Sequence, residues 1–126
     1  MNSNINVYPI IIEFIGVGEV SGELIRTKAP RTAEAIFYNL PIKDKVSLYG
    51  EEIYFKAGIN LGKEKPVKTV SSGDIAYWPM GDALCLFFGK TQPYSEVNLC
   101  GRLIPPFDLL KDVKKGTGVI VKRRVD

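Results

Sequence analysis

The 126 residues include no histidine. That absence removes the commonest general base, the commonest transition-metal ligand and every nucleophile that leans on an imidazole, so neither a zinc centre nor a hydrolytic triad is expected. Cysteine is nearly as scarce: Cys85 and Cys100 are the only two, each inside an apolar run and neither in a metal-ligand spacing. They read as small buried apolar side chains, reduced and unreactive, in preference to a disulfide or a metal pair. No metal and no cofactor is expected. Long hydrophobic runs are missing as well. Ile10–Ile12 is far too short for a membrane span or a signal core, and no basic stretch precedes it, so the expectation is a cytoplasmic protein with no membrane partner.

The charge is +3 overall, and it is unevenly spread. From Lys111 onward six basic residues face two acidic ones, whereas the first 110 residues hold 11 basic and 12 acidic. A nucleic-acid surface would need a larger cluster interleaved with aromatics, and none is present, so no nucleic-acid partner is expected. The tail reads instead as a solubilising end and as an edge strand guarded by charge. With 45% hydrophobic and 25% charged residues the composition is that of a globular protein, and residues 1–126 form a single domain large enough to bury a core.

The chain is organised around Gly73–Gly89. Two strand-like runs, Ile75–Trp78 and Ala83–Phe88, are joined by Pro79-Met80-Gly81-Asp82, which has turn chemistry. In Leu84-Cys85-Leu86-Phe87-Phe88 every residue is apolar, the mark of a strand covered on both faces or enclosed in a barrel. Neighbouring Phe87 and Phe88 must point to opposite faces, so only one of them can line a given pocket.

Around this centre the alternation predicts strands at Val7–Gly16, Glu19–Thr27, Lys45–Tyr49, Glu52–Ala57, Val97–Leu103 and Thr117–Val125. Ile53 and Phe55 fall on one side of their strand and Tyr54 on the other. Thr27–Leu40 reads as the one clear helix, with Pro30 in its first turn, an apolar stripe of Ala33, Ile36, Phe37 and Leu40, and Pro41 as its stop. A lone amphipathic helix among strands usually plugs the open end of a barrel or covers one face of a sheet. Pro105–Val113 is expected to form a short helical turn. The polar stretch from 58 to 73 is long for a structureless loop in a compact domain, which marks it as functional or mobile. With no βαβ rhythm, the fold class is mainly β, a mostly antiparallel barrel.

Ala29-Pro30-Arg31-Thr32 opening the helix after a hairpin resembles cyclophilins. Gly73-Asp74-Ile75-Ala76-Tyr77-Trp78-Pro79, Leu86-Phe87-Phe88-Gly89, Glu52-Ile53-Tyr54-Phe55 and Val97-Asn98-Leu99-Cys100-Gly101-Arg102 resemble still more the compact cyclophilin-like proteins of bacteria and archaea. The resemblance runs over nearly the whole chain and implies a closed antiparallel eight-stranded cyclophilin-like β-barrel with one main capping helix. Cyclophilins isomerise X–Pro bonds, whose uncatalysed barrier is about 18–20 kcal/mol. They use an arginine on a barrel strand beside a phenylalanine-lined proline pocket. Here the stretch matching that arginine is Tyr54-Phe55-Lys56, and lysine lacks the planar fork. Leu86 stands where the family has a glutamine, and Phe87 matches the first phenylalanine of the family's pair. The tryptophan and histidine on the other side of the family's pocket have no clear counterparts.

The resulting binding candidates are Phe87, Phe55, Lys56, Tyr54, Tyr77 and Trp78, with no catalytic residue. Each competes with a plain role in barrel packing; Trp78, next to Pro79 at a turn, is the best placed to be exposed at a rim. Tyr94 and Ser95, in the loop after Phe88, could line a rim, but loop polarity alone accounts for them. The leading expectation is a cyclophilin-like domain that binds a proline-containing peptide or another small ligand without efficient isomerase chemistry. A weak peptidyl-prolyl isomerase is the first alternative. A homo-oligomeric subunit using exposed aromatics as contacts is the second.

Overall fold

The computed structural model describes residues 6–125. Strand β1 (Val7–Phe14) and β2 (Gly18–Ile25) form the first antiparallel hairpin, in register from Val7 opposite Ile25 to Phe14 opposite Gly18. Ile10, Ile12 and Phe14 alternate into the core, and Gly16 turns the chain at φ 80°, a left-handed conformation that glycine adopts without strain. Helix α1 (Pro30–Tyr38) follows. Ala33 and Ile36 are fully buried in the barrel core, with Ala29 just ahead of the helix. Phe37 and Leu40 pack against this core from its edge, partly buried. Phe37 also stacks on Tyr8, with ring centroids 4.3 Å apart and planes 9° from parallel, while the Arg123 guanidinium lies 4.2 Å from its centroid. One step along a helix rotates a side chain by roughly 100°, so with Ile36 aimed at the core its neighbour faces the rim.

The remaining strands are β3 (Ile42–Lys45), β4 (Ser47–Tyr49), β5 (Glu52–Lys56), β6 (Asp74–Trp78), β7 (Ala83–Phe87), β8 (Asn98–Ile104) and β9 (Gly118–Arg123). They form one antiparallel sheet in the order β3-β9-β1-β2-β8-β6-β7-β5-β4. The count is nine where eight was expected, because the run from Ile42 to Tyr49 breaks at Val46. Val46 donates to Thr117 and accepts from Gly116, both at 2.9 Å, while the strand before it pairs with β9 and the strand after it with β5. The two sheet edges are thus consecutive in the chain, and the Lys56 amide donates to the Asp44 carboxylate across the seam at 2.8 Å. The barrel is nearly closed. Strand β9, expected at an edge, lies between β3 and β1.

Inside the barrel Ile53, Phe55, Ile75, Tyr77, Leu84 and Leu86 join β1, β2 and β9 in one core. At the end opposite α1 a 3-10 turn, Asp108–Asp112, buries Leu110 completely and sets Leu109 beside Gly18 at the hairpin turn. Strand β7 is buried at all five positions because both of its faces are covered: Leu84 and Leu86 point inward, Cys85 and Phe87 outward. Phe88 packs back toward the inner core, opposite in direction to Phe87. Both cysteines are free and buried, and burial pushes both thiols up. Among the described residues no helix is long and apolar enough to cross a membrane.

Candidate functional site

The stretch from 58 to 73 is a strap bound at many points to the outer wall of the barrel. Its first residues are held by Asp82, whose carboxylate accepts from the amides of Gly58, Ile59 and Asn60 at 3.0, 3.1 and 2.9 Å. Tyr77, fully buried, donates its hydroxyl to Asp82 at 2.6 Å and accepts from the Leu61 amide at 3.1 Å. Burial alone would raise the Asp82 carboxyl, but the Tyr77 hydroxyl and the three amides outweigh it and hold it below its usual value. The same contact, added to burial, pushes the Tyr77 hydroxyl up to about 12. Asn98 takes the middle of the strap, accepting from the Glu64 amide and donating to Gly62 and Thr32. The Glu64 carboxylate in turn accepts from the amides of Arg31 and Thr32 at the start of α1. Paired bonds between Val67 and Val97, and between Gln92 and Val70, fix the far end.

Strand alternation sets what lies beneath this strap. On the outer face of β5, β7 and β6 stand Glu52, Tyr54, Cys85, Phe87, Ala76 and Trp78, with Tyr54 opposite Cys85 and Cys85 opposite Ala76. Val67 and Val70 pack against the patch of Ala76, Cys85, Phe87 and Val97 and seal it. Beyond them the wall stays open as a cleft of about 310 Å³, lined by Tyr49, Glu52, Tyr54, Trp78, Pro93, Tyr94 and Val97.

The aromatic part of the cleft is preorganised. Trp78 meets Tyr54 edge-on at 6.2 Å and Tyr94 edge-on at 6.0 Å between centroids, a favourable geometry for aromatic pairs. The indole N–H donates to Ser95 Oγ at 2.7 Å, which fixes the plane of the ring. Gly81 has no room for a side chain, because the same indole lies against it. Tyr94 and Tyr49 stand at the rim, 73% and 47% exposed. At the base, Glu52 is only 5% exposed, and its Oε1 is buried without a hydrogen-bond partner. Burial raises this carboxyl, with the Cys85 thiol alone beside it as a weak counterweight. A second hollow of about 380 Å³ adjoins across Pro93 and Tyr94 and is lined by Lys63, Lys68, Met80 and Glu96 among others.

Of the residues singled out from the sequence, Tyr54 and Trp78 come together in the cleft. The other four do not line it. Phe87 is fully buried under the strap, so the proline pocket expected around it is closed. Phe55 and Tyr77 point into the barrel, 2% and 0% exposed. Lys56 is exposed at the end of β5, outside the cleft lining. Leu86, at the family's glutamine position, faces the interior, where it meets no ligand. Sequence reasoning missed Glu52, Tyr49, Pro93 and Val97 as cleft residues. Glu52 did carry a signal: it shares Tyr54's face by alternation. Among the described residues no group of three or more Cys, Asp or Glu side chains is arranged to hold a metal ion.

The fold and this wall define a helix-capped antiparallel barrel with its concave site on the outside. The chain belongs to the cyclophilin-like family, whose model matches residues 9–122. A hypothetical protein of Archaeoglobus fulgidus, known from a solution structure, is 37% identical over 98% of this chain and 100% of its own, with a TM-score of 0.83. McbB, solved in complex with tryptophan, superposes with a TM-score of 0.80 at 18% identity; the match covers 93% of this chain but 45% of that one. A cyclophilin-type peptidyl-prolyl cis-trans isomerase of Cryptosporidium parvum matches at a TM-score of 0.65 and 12% identity, over 95% of this chain and 99% of its own. These last two likenesses concern the fold. Among curated protein sequences none matches this chain.

Proposed function

We propose that this protein is a cyclophilin-like binding domain that takes a small ligand, or a side chain of a peptide, in the cleft between Tyr54, Trp78 and Tyr94, without efficient isomerase chemistry. The observation that carries this reading is the cleft itself: concave, aromatic, held rigid by the Ser95 bond and the tied strap, and with one carboxylate at its base. Such a hollow, apolar with one placed polar group, is the usual form of a ligand site. The adjoining hollow past Tyr94 gives a peptide room to continue. That McbB is solved with tryptophan bound adds support for a ligand on this fold. The free cysteines fit a reducing, cytoplasmic setting.

Catalysis is a different matter. The family's arginine acts on the twisting amide in the transition state, and removing one such donor typically costs on the order of 100–1000-fold in rate. Lys56 lies outside the cleft and Phe87 is sealed, so neither half of that machinery is presented to a proline. The test has two readouts. Titration of isotope-labelled protein with a fragment library is expected to shift amides at 49–54, 78 and 94–97, and a protease-free assay on an X–Pro peptide is expected to stay at the uncatalysed rate. Shifts confined to other surfaces would overturn the site. Acceleration abolished by Trp78→Ala would establish the weak isomerase instead.

A further inference from the structure

We propose that the cleft selects a protonated amine, its ammonium group donating to the Glu52 carboxylate while its carbon body lies against the rings of Tyr54, Trp78 and Tyr94. This rests on the reading of the cleft as a ligand site and names the ligand's chemistry. The argument begins with Glu52. It is a side chain only 5% exposed, and its Oε1 has no hydrogen-bond partner. Buried carboxylates are ordinarily paired with a cation or several donors. Among the described residues no ion pair reaches it: Arg26–Glu34, Lys63–Glu96, Arg102–Glu23 and Lys122–Glu13 all lie elsewhere. The thiol of Cys85 lies beside the carboxyl, and a thiol is a weak donor.

The walls give the same sign. Four aromatic rings, those of Tyr49, Tyr54, Trp78 and Tyr94, surround the cleft, and aromatic faces carry negative potential that attracts cations. The Trp78 N–H is already used by Ser95, so the indole offers its face and edge and no free donor. An anionic ligand would meet Glu52 with like charge. A neutral one would leave the carboxylate uncompensated. A quaternary ammonium would suit the rings but has no N–H for the carboxylate, so the ligand class narrows to ammonium groups that keep at least one proton. The volume of about 310 Å³ leaves space for an aryl or alkyl body behind the head group.

Trp78 is the only tryptophan in the chain, so its fluorescence reports this cleft alone. The wild-type protein, Glu52→Gln and Glu52→Asp are each titrated with 2-phenylethylammonium and with its neutral counterpart 2-phenylethanol, after circular dichroism has shown that each variant is folded. Wild type is expected to bind the ammonium at least about tenfold more tightly than the alcohol. Glu52→Gln is expected to lose that preference while still binding the alcohol, and Glu52→Asp to keep its sign in weakened form. Equal affinity of wild type for the two compounds overturns the amine selectivity and leaves the ligand site standing. An amine preference that survives in Glu52→Gln also overturns it. No change of Trp78 emission with either compound overturns the site and the selectivity together.

Discussion

On the inner face of β5, β6 and β7, Ile53, Phe55, Ile75, Tyr77, Leu84 and Leu86 meet side chains from the opposite wall, and the one polar atom there, the Tyr77 hydroxyl, is bonded on both sides. On the outer face of the same strands no opposite wall exists. Phe87 and Cys85 are covered by Val67 and Val70 of the strap, whereas Tyr54, Trp78 and Glu52 lie where that cover stops. One backbone with one alternation therefore builds a filled core on one side and a half-filled site on the other. The difference lies in closure: the barrel satisfies its interior completely, and the strap satisfies its exterior in part. Glu52, with its Oε1 unpartnered, stands at that boundary.

The comparison breaks most readily at Phe87. If the strap seals the outer patch as completely as the barrel seals its core, Phe87→Ala is expected to lose about 3–5 kcal/mol, as much as Phe55→Ala on the other face. Urea denaturation measures both; a loss below about 1 kcal/mol for Phe87 alone would mean that the strap is no cover. Asp82→Ala removes the acceptor for three strap amides and the Tyr77 hydroxyl, and about 1–3 kcal/mol is expected to go with it. Amide exchange is expected to quicken at 58–60 and stay slow in β1 and β9. The Asp82 carboxyl titrates below its unfolded value, so its stabilisation is present above that value and is lost as the pH falls through the folded one. Asp82→Asn should flatten that acid limb.

Glu52 carries the opposite sign. Its folded carboxyl is raised, so ionisation favours the unfolded chain, and stability declines as the pH rises through the region between the two values. Glu52→Gln is therefore expected to gain about 0.5–1 kcal/mol at neutral pH, with the gain vanishing in acid. Thermal melts at the two pH values measure it, and a loss at neutral pH would show that the carboxylate has a partner. The smallest effect is at the rim. Tyr94→Ala, at a side chain 73% exposed, should change stability by less than about 0.5 kcal/mol while weakening amine binding. A large destabilisation there would place Tyr94 in the structure and out of the site.

Much of this architecture was legible because alternation is local. The opposite facing of Phe87 and Phe88, and of Tyr54 against Ile53 and Phe55, follows from the pleat alone and is what the barrel displays. Strand β3 was not legible: after Ile42 it reads Lys43-Asp44-Lys45, all exposed, and only pairing with β9 makes it a strand. The candidate cleft was legible by half. Tyr54 and Trp78 announce themselves as aromatics at an outer position, but which outer aromatics stay open depends on where the strap lies. That depends on Asp82, Asn98 and Glu64 bonding to residues 22 to 36 positions away. Phe87 was misjudged for that reason. Glu52 escaped notice because an acid on a strand is ordinarily solvated, whereas here it pairs opposite the buried Phe87 at the base of a cleft assembled from distant segments.

The break at Val46 has a consequence for how any partner approaches. Since the chain passes directly from one margin of the sheet to the other, the two margins lie side by side, with Val46 bonded to Gly116 and Thr117 and the Lys56 amide taken by Asp44. A margin covered in this way offers less of a template to a strand laid alongside, the route by which exposed margins seed fibres and swapped assemblies. The cleft proposed above accordingly meets its guest through side chains of the outer wall and leaves the pairing of the sheet undisturbed.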